Sequence, residues 1–209
     1  MLREYNSEKD SFVHSPRTGG RFVNKWLGNT FGTPKETSMT PALGQDKRCW
    51  GIIRNPFDLY ASWYYLNKGK GQWFVDFLRD LLNEKIEYYW LMPKYLRRHD
   101  IGVATYCFIY FFCDYEKVFS LDKIEDLAPY IIVDKIIKYE PDLRHVIKKT
   151  FKLTTDQRHS LLKTRSIGVS LNKYDFMDYY NKELRDLIIH KDRLIFKLYP
   201  EYECNSNKS

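Results

Sequence analysis

The sequence predicts an α/β protein with a mostly parallel central sheet and flanking helices in three layers. Short apolar, β-prone segments alternate along the chain with longer segments whose apolar residues repeat at helical spacing. This order is typical of parallel sheets whose strands are joined by helices. A proline also stands between each strand candidate and the next helix, where it helps to end the strand. Right-handed crossovers between the strands are therefore expected.

Length and composition favour one domain with an anionic partner. The 209 residues suit a single domain over 1–209, with flexible ends at 1–10 and 204–209. Hydrophobic residues make up 44% of the chain, which is enough for a core. The net charge of +7 favours anions such as nucleotides. Because the basic residues are scattered rather than massed, a nucleic-acid partner is not expected.

Cysteine spacing and hydropathy predict a cytoplasmic protein. Cys49, Cys107, Cys113 and Cys204 stand singly without a C-x-x-C pair, so a metal site is not expected. The polar start MLREYNSEKD lacks the apolar region of a signal peptide. No stretch approaches the roughly 20 apolar residues of a membrane span. We therefore expect reduced thiols and no membrane span.

The first strand and helix enclose a glycine loop. Phe12 and Val13 form a β-prone run, residues 16–20 read PRTGG, and helical spacing begins at Phe22. Glycines let backbone N–H groups turn inward, and the following helix adds the positive end of its dipole. We therefore expect the loop to bind phosphate or sulfate, with Arg17 as its cation. A Pro-Gly turn without a ligand is the alternative.

This loop differs from that of the nucleoside triphosphatases. Their glycine loop continues with Lys-Ser or Lys-Thr, and the hydroxyl binds magnesium. Arg21 and Phe22 stand there instead. The loop therefore suits an anion rather than a metal-bridged triphosphate.

The second strand candidate ends at another arginine. Residues 49–53 are apolar and β-branched, which predicts a buried parallel strand. Pro56 suits the first turn of the following helix. Arg54 would therefore lie at the carboxyl end of a strand, where open α/β sheets bind ligands.

The remaining elements follow from periodicity and helix caps. Residues 28–47 lack periodicity and are predicted to form a loop, and 163–168 a polar, basic one. Residues 130–139 are the third strand candidate. Further helices are predicted over 73–82, 88–98, 140–147, 155–162 with a cap at Thr155 and Asp156, and 184–198 as one helix before Pro200. The apolar run 103–112 fits either a helix or a strand, and a helix is favoured.

Taken together, these motifs resemble the sulfotransferases that use 3′-phosphoadenosine 5′-phosphosulfate (PAPS) as donor. HSPRTGGRF is similar to their 5′-phosphosulfate loop, usually P-K-[ST]-G-[GST]-[ST]. Arg54 with Ser62 eight positions later is similar to their 3′-phosphate motif. VDKIIKYEPDLRHVI and YDFMDYYNKELRDLIIHKDRLIFKLYPEY resemble the middle unit and C-terminal end of carbohydrate-type members. The resemblance covers most of the chain and implies their P-loop-like nucleotide-binding fold.

The resemblance implies roles for the residues of the first motif. Arg17 stands where most members have a catalytic lysine that contacts the bridging oxygen and the leaving phosphate. Tyrosylprotein sulfotransferases have an arginine at this position. Thr18, Gly19 and Gly20 would contact the 5′-phosphate. Arg21 replaces the usual Thr or Ser, and either adds a charged contact or points to solvent.

The other matched positions concern adenine and the 3′-phosphate. Phe22 matches a tryptophan that stacks on adenine in cytosolic members, with a core position as the alternative. Arg54 and Ser62 would bind the 3′-phosphate. The family has a late loop near that phosphate, and its positions in this chain are Lys163, Arg165 and Ser166.

The general base has two candidates. Many members use a histidine between the two phosphate motifs, but this chain has none between Val23 and His99. Glu36 is the nearest match to the glutamate used by tyrosylprotein and heparan members. It could take the acceptor proton if burial raises its pKa, with a surface loop glutamate as the alternative. His14, just before the loop, is the second candidate, although a structural histidine would also fit there.

The resemblance implies transfer of a sulfuryl group from PAPS to a hydroxyl of a small-molecule or glycan acceptor, with adenosine 3′,5′-bisphosphate (PAP) as product and no metal. By analogy with phosphoryl transfer, such a loose, in-line transition state depends on positioning and charge. Two alternatives remain open. One is a catalytically impaired nucleotide- or polyanion-binding module on the same fold, and the less favoured one is a nucleotide kinase.

Overall fold

The computed structural model describes residues 3–32, 41–67, 71, 73–82, 93–140, 142–165 and 176–204. The chain divides into two compact units. Met1–Arg54 with Ile132–Val169 form the first, called the sheet unit, and Asn55–Ile131 with Ser170–Ser209 form the second, called the helical unit. The single domain expected over 1–209 stays a prediction.

The described residues contain five short strands, eleven α-helices and two 3₁₀ helices, Ala128–Tyr130 and Phe176–Tyr179. The strands are β1 (Arg3–Glu4), β2 (Asp10–Val13), β3 (Arg48–Ile53), β4 (Lys135–Lys138) and β5 (Phe151–Lys152). The helices are α1 (Gly20–Phe31), α2 (Pro56–Asn67), α3 (Phe74–Leu82), α4 (Pro93–His99), α5 (Val103–Phe112), α6 (Tyr115–Ser120), α7 (Leu143–Thr150), α8 (Thr155–Lys163), α9 (Lys182–Lys191), α10 (Arg193–Leu198) and α11 (Glu201–Cys204).

The sheet confirms the predicted α/β class. Strands β2, β3 and β4 form a parallel sheet in that order, with β3 in the centre and helices flanking it. The register pairs Val13 with Gly51 and Ile53 with Lys138. The carboxyl ends of all three strands therefore meet at one edge, as they must in a parallel sheet.

The third strand is shorter than predicted. It begins at Lys135 rather than Tyr130, because the preceding segment has other partners. Residues Ala128–Tyr130 form a 3₁₀ turn with a proline at its start. The Tyr130 carbonyl accepts a hydrogen bond from the Asp114 amide, and Ile131 makes an isolated antiparallel bridge to Cys113. These bonds keep residues 130–131 in the helical unit.

Residues 3–5 make contacts within the sheet unit, while the flexible end expected over 1–10 stays a prediction. Strand β1 pairs in parallel with β5 as a second, two-stranded sheet. Tyr5 is buried in the core, with its ring 5.5 Å from Phe151 and 5.8 Å from Trp26 between centroids. Strands of two residues are too short for a periodic pattern to predict them.

The helices confirm most predicted spans and correct three boundaries. Helix α1 continues to Phe31 and ends at Gly32 (φ +65°), so the loop predicted from residue 28 starts later. Helix α8 is capped by Thr154, not Thr155, in a capping box with Gln157. Of the helix predicted over 88–98, only α4 lies within the described residues.

The third correction is a break in the predicted last helix. At Asp192, α9 ends and α10 begins. The Asp192 side chain is fully buried, accepting hydrogen bonds from the Tyr60 hydroxyl at 2.7 Å and the Thr105 amide at 2.7 Å. Thr105 is the third residue of α5, so Asp192 caps that helix from a distant part of the chain. A side chain at Gly102 would lie 2.5 Å from the carboxylate, which leaves room only for glycine.

The core of the sheet unit lies between the sheet and its helices. Helices α1, α7 and α8 contribute apolar residues, and α1 packs against α8. Trp26 of α1 and Trp50 of β3 are fully buried there. The Trp26 indole also donates to the Gln157 carbonyl at 3.3 Å. This core holds α1 and the loop before it against the sheet edge.

Candidate anion-binding site

The candidate site lies at the carboxyl edge of the three-stranded sheet. The loop 14–19 follows β2, Arg54 follows β3, and Tyr139 follows β4. The Tyr139 amide donates to the Ile53 carbonyl at 2.7 Å, which continues the pairing of the two strands to their ends. This edge is where open α/β sheets bind their ligands.

The loop has an unusual backbone. Arg17 (φ +60°) and Gly19 (φ +79°) are both left-handed, and the Thr18 hydroxyl between them donates to the Ser15 carbonyl at 2.8 Å. Such a conformation costs a residue other than glycine about 1–2 kcal/mol. Strain of this kind at a non-glycine residue is typical of functional loops.

The start of α1 presents amide groups that have no acceptor in the described ranges. In the described part of the chain, the amides of residues 18–21 donate to no other residue, whereas the amides of Phe22 and Val23 both donate to the Gly19 carbonyl. The cap residue Gly19 has no side chain to bond these amides, and the first turn carries no acidic residue. Successive free N–H groups at the positive end of a helix are what an anion binds.

Close packing leaves no space for side chains at the two loop glycines. A Cβ atom at Gly19 would overlap Leu143 Cδ1 and lie 3.5 Å from Tyr139 Cε2. A Cβ atom at Gly20 would overlap the His14 imidazole. The two glycines therefore have a packing role as well as the phosphate contact that the resemblance implies.

The structure brings the two predicted arginines together. Arg54 Nη1 donates to the Arg17 carbonyl at 2.8 Å, and its guanidinium carbon lies 4.4 Å from the centroid of the Tyr139 ring. Arg54 thus braces the strained residue of the loop while it adds positive charge to the same edge.

His14 has the properties of a packing residue. Burial, and then the charge of Arg21, lower the pKa of its imidazole to about 4. Its ring lies against Gly20, and its buried Nδ1 has no hydrogen-bond partner within the described residues. The ring is therefore neutral and weakly basic at neutral pH. This favours the structural role over the catalytic role expected of the second base candidate.

Phe22 occupies the alternative position that the sequence left open. It is 4% exposed and belongs to the core cluster of the sheet unit. The Arg144 guanidinium lies over its ring, 5.3 Å from the centroid. A core role is therefore favoured over stacking on adenine. Arg144 lies in the segment VDKIIKYEPDLRHVI that resembles the middle unit of the family, but neither the resemblance nor the helical spacing gave it a role.

The other predicted residues differ in their placement. Arg21, Lys163 and Arg165 are exposed side chains of the sheet unit. Ser62 belongs to α2 of the helical unit and is 3% exposed. Two predicted residues, Glu36 and Ser166, lie outside the described residues.

Cysteines and the remaining helices give little sign of other chemistry. Cys49, Cys107 and Cys113 are buried and carry free thiols, and burial raises the pKa of Cys49 to about 11. Across the described ranges, His, Cys, Asp and Glu nowhere gather in threes that could hold a metal ion. Crossing a bilayer would take a longer and more apolar helix than any the structure describes.

Comparisons of the chain with models of protein families, with curated proteins and with solved structures found no match.

Proposed function

We propose that this protein is a sulfotransferase of the P-loop-like fold, which moves a sulfuryl group from PAPS to a hydroxyl of a carbohydrate acceptor. The observation that carries the proposal is the loop 14–19 at the carboxyl edge of the sheet, with the start of α1. It combines amides that have no acceptor among the described residues, a strained Arg17 and a bond from Arg54. The motif order and the spacing of Arg54 and Ser62 are the second support.

The loop would act by stabilising the leaving group. In sulfuryl transfer the acceptor oxygen attacks sulfur, and the bond from sulfur to the bridging oxygen of the 5′-phosphate breaks. Negative charge then builds on that phosphate. Fixed N–H groups, the dipole of α1 and the Arg17 guanidinium would stabilise this charge without reorganising. No metal is required for this step.

The acceptor proton needs a base, and Glu36 remains the proposed one. The lowered pKa of His14 makes its imidazole a poor proton acceptor at neutral pH. A carboxylate near the acceptor would act as general base if burial raised its pKa towards neutrality. Glu36→Gln should then abolish turnover while it leaves PAP affinity unchanged.

A non-catalytic anion-binding module is the second candidate. The supporting observation concerns His14, the base candidate that the structure describes. Its ring packs against Gly20 and its pKa is lowered. A binding module would bind PAP without transferring sulfate. A nucleotide kinase is less favoured, since no Lys-Ser or Lys-Thr pair follows the loop glycines.

Isothermal titration calorimetry with PAP tests the donor site. We expect saturable binding by the wild type and a loss of about 10- to 100-fold in Arg54→Ala, because hydrogen bonds to charged groups contribute roughly 1.5–3 kcal/mol. Lys135→Ala is the matched control, since this exposed cation begins β4 at the opposite end of the sheet. Thermal melts would establish that both variants fold.

Absence of binding heat from the wild type would refute the proposal. Turnover on a panel of glycans and phenols, with Glu36→Gln as control, then separates the enzyme from the binding module. A bound nucleotide and no sulfated product from any acceptor would favour the module.

A further inference from the structure

We infer that Arg144 binds a second anionic group, beside the group held by the loop, and that this group is the second phosphate of a bisphosphate ligand. The inference rests on the proposed function, since it extends the same site. It is drawn from the position of Arg144, from the partners of its guanidinium and from the charges around it.

Arg144 stands beside the loop within the sheet unit. Its neighbour Leu143 fills the space next to Gly19, and its own guanidinium lies over the Phe22 ring. Gly19 caps α1 and Phe22 lies in its first turn. The start of α7 therefore forms a wall of the loop that holds the proposed anion.

The Arg144 guanidinium is held in one orientation, but only one of its nitrogens donates a hydrogen bond within the described ranges. Nη2 donates to the Thr164 carbonyl at 2.6 Å. Together with the Phe22 ring, this bond fixes the plane of the group. Among the described residues Nη1 has no hydrogen-bond partner, and Nε is buried without one. A fixed guanidinium with donors to spare suits the geometry of a phosphate.

Arg144 is also a partly buried cation without a carboxylate partner in the described ranges. The nearest acidic residue along the chain, Asp142, uses its Oδ1 to cap α7 and accepts from the amides of Arg144 and His145. Lys163 and Arg165, on either side of Thr164, are further exposed cations. A partly buried cation is unfavourable unless an anion neutralises it.

Ligands that differ by one phosphate test the inference. We would measure the affinities of PAP and of adenosine 5′-monophosphate for the wild type, Arg144→Ala and Lys148→Ala. Lys148 is an exposed cation one turn further along α7 and controls for net charge. We expect Arg144→Ala to weaken PAP about 10- to 100-fold, as loss of a charge-assisted hydrogen bond implies. Its affinity for the monophosphate, and both affinities of Lys148→Ala, should stay near wild type.

Other patterns of nucleotide affinity would overturn either the role of Arg144 or the proposed function. Equal losses for both nucleotides would mean that Arg144 only shapes the loop, and unchanged PAP affinity would mean that it contacts no ligand. Either result overturns the inference. If the wild type binds neither nucleotide, the proposed function fails, and inorganic phosphate becomes the probe. In that case phosphate should raise the melting temperature of the wild type and of Lys148→Ala but not that of Arg144→Ala. Any other result would mean that Arg144 binds no anion.

Discussion

Replacing Gly19 with alanine tests the geometry of the loop 14–19. The new Cβ would sit on a left-handed backbone (φ +79°) and overlap the end of the Leu143 side chain. The conformation costs about 1–2 kcal/mol and overpacking roughly 1–3 kcal/mol. Alanine also lowers the conformational entropy of the unfolded chain, which offsets about 0.4–1 kcal/mol of this loss. Because Leu143 can partly turn away, we expect Gly19→Ala to lower the free energy of unfolding by about 2 kcal/mol.

Two companion variants separate these contributions. Gly32 is also left-handed (φ +65°), but nothing lies within 4 Å of a Cβ there. Gly32→Ala therefore carries strain without overlap, and we expect a loss of about 1 kcal/mol or less. Combining Gly19→Ala with Leu143→Ala removes the overlap. The double variant should be less destabilised than the sum of the single variants by about 1 kcal/mol, which is a measurable coupling for residues in contact.

Urea unfolding followed by tryptophan fluorescence measures these differences. Trp26 and Trp50 are buried in the same unit as the loop and should report its unfolding. A loss of stability in Gly19→Ala no larger than that in Gly32→Ala would contradict the overlap with Leu143, and so would additivity of Gly19→Ala and Leu143→Ala. PAP affinity should fall in Gly19→Ala and stay unchanged in Gly32→Ala.

Two further predictions concern buried groups that titrate. Burial lowers the His14 pKa from 6.5 to about 4, so the folded protein keeps the imidazole neutral. This contribution to the free energy of unfolding is fully present above pH 6.5 and is lost as the pH falls towards 4. NMR should show its imidazole titrating near pH 4 in a signal absent from His14→Gln, and titration near pH 6.5 would contradict this. Burial raises the Asp192 pKa from 3.8 to about 6, so its effect has the opposite sign, and stability falls as the pH rises from about 4 to 6. Unfolding curves should show a loss of roughly 3 kcal/mol over that range that is absent from Asp192→Asn, and the same pH dependence in the variant would refute this origin.

The elements that bear the loop were predictable because their signals are local. A β-prone run, a proline and two glycines lie within a few residues of one another, and the helical spacing of α1 begins directly after them. The same holds for β3, Arg54 and α2. Each of these segments carries its own start and stop signals, so its structure depends little on the rest of the chain.

The remaining features depend on contacts between distant residues. The break at Asp192 arises because Tyr60 and Thr105 bind its carboxylate, and no pattern within 184–198 indicates such partners. Arg144 differs from other surface arginines only through Phe22 and the Thr164 carbonyl. Phe22 fits helical spacing whether its ring is buried or exposed, so the sequence left both roles open.

The buried carboxylate at Asp192 also bears on the order in which the chain completes its structure during synthesis. Neither unit is one continuous segment, since each takes residues from two parts of the chain. The ribosome has made every residue of the sheet unit once position 169 is translated. Helix α5 is made much earlier, yet its amide at Thr105 must wait for Asp192 to emerge from the exit tunnel. The sheet unit therefore has all its residues while the helical unit still lacks the residue that caps α5.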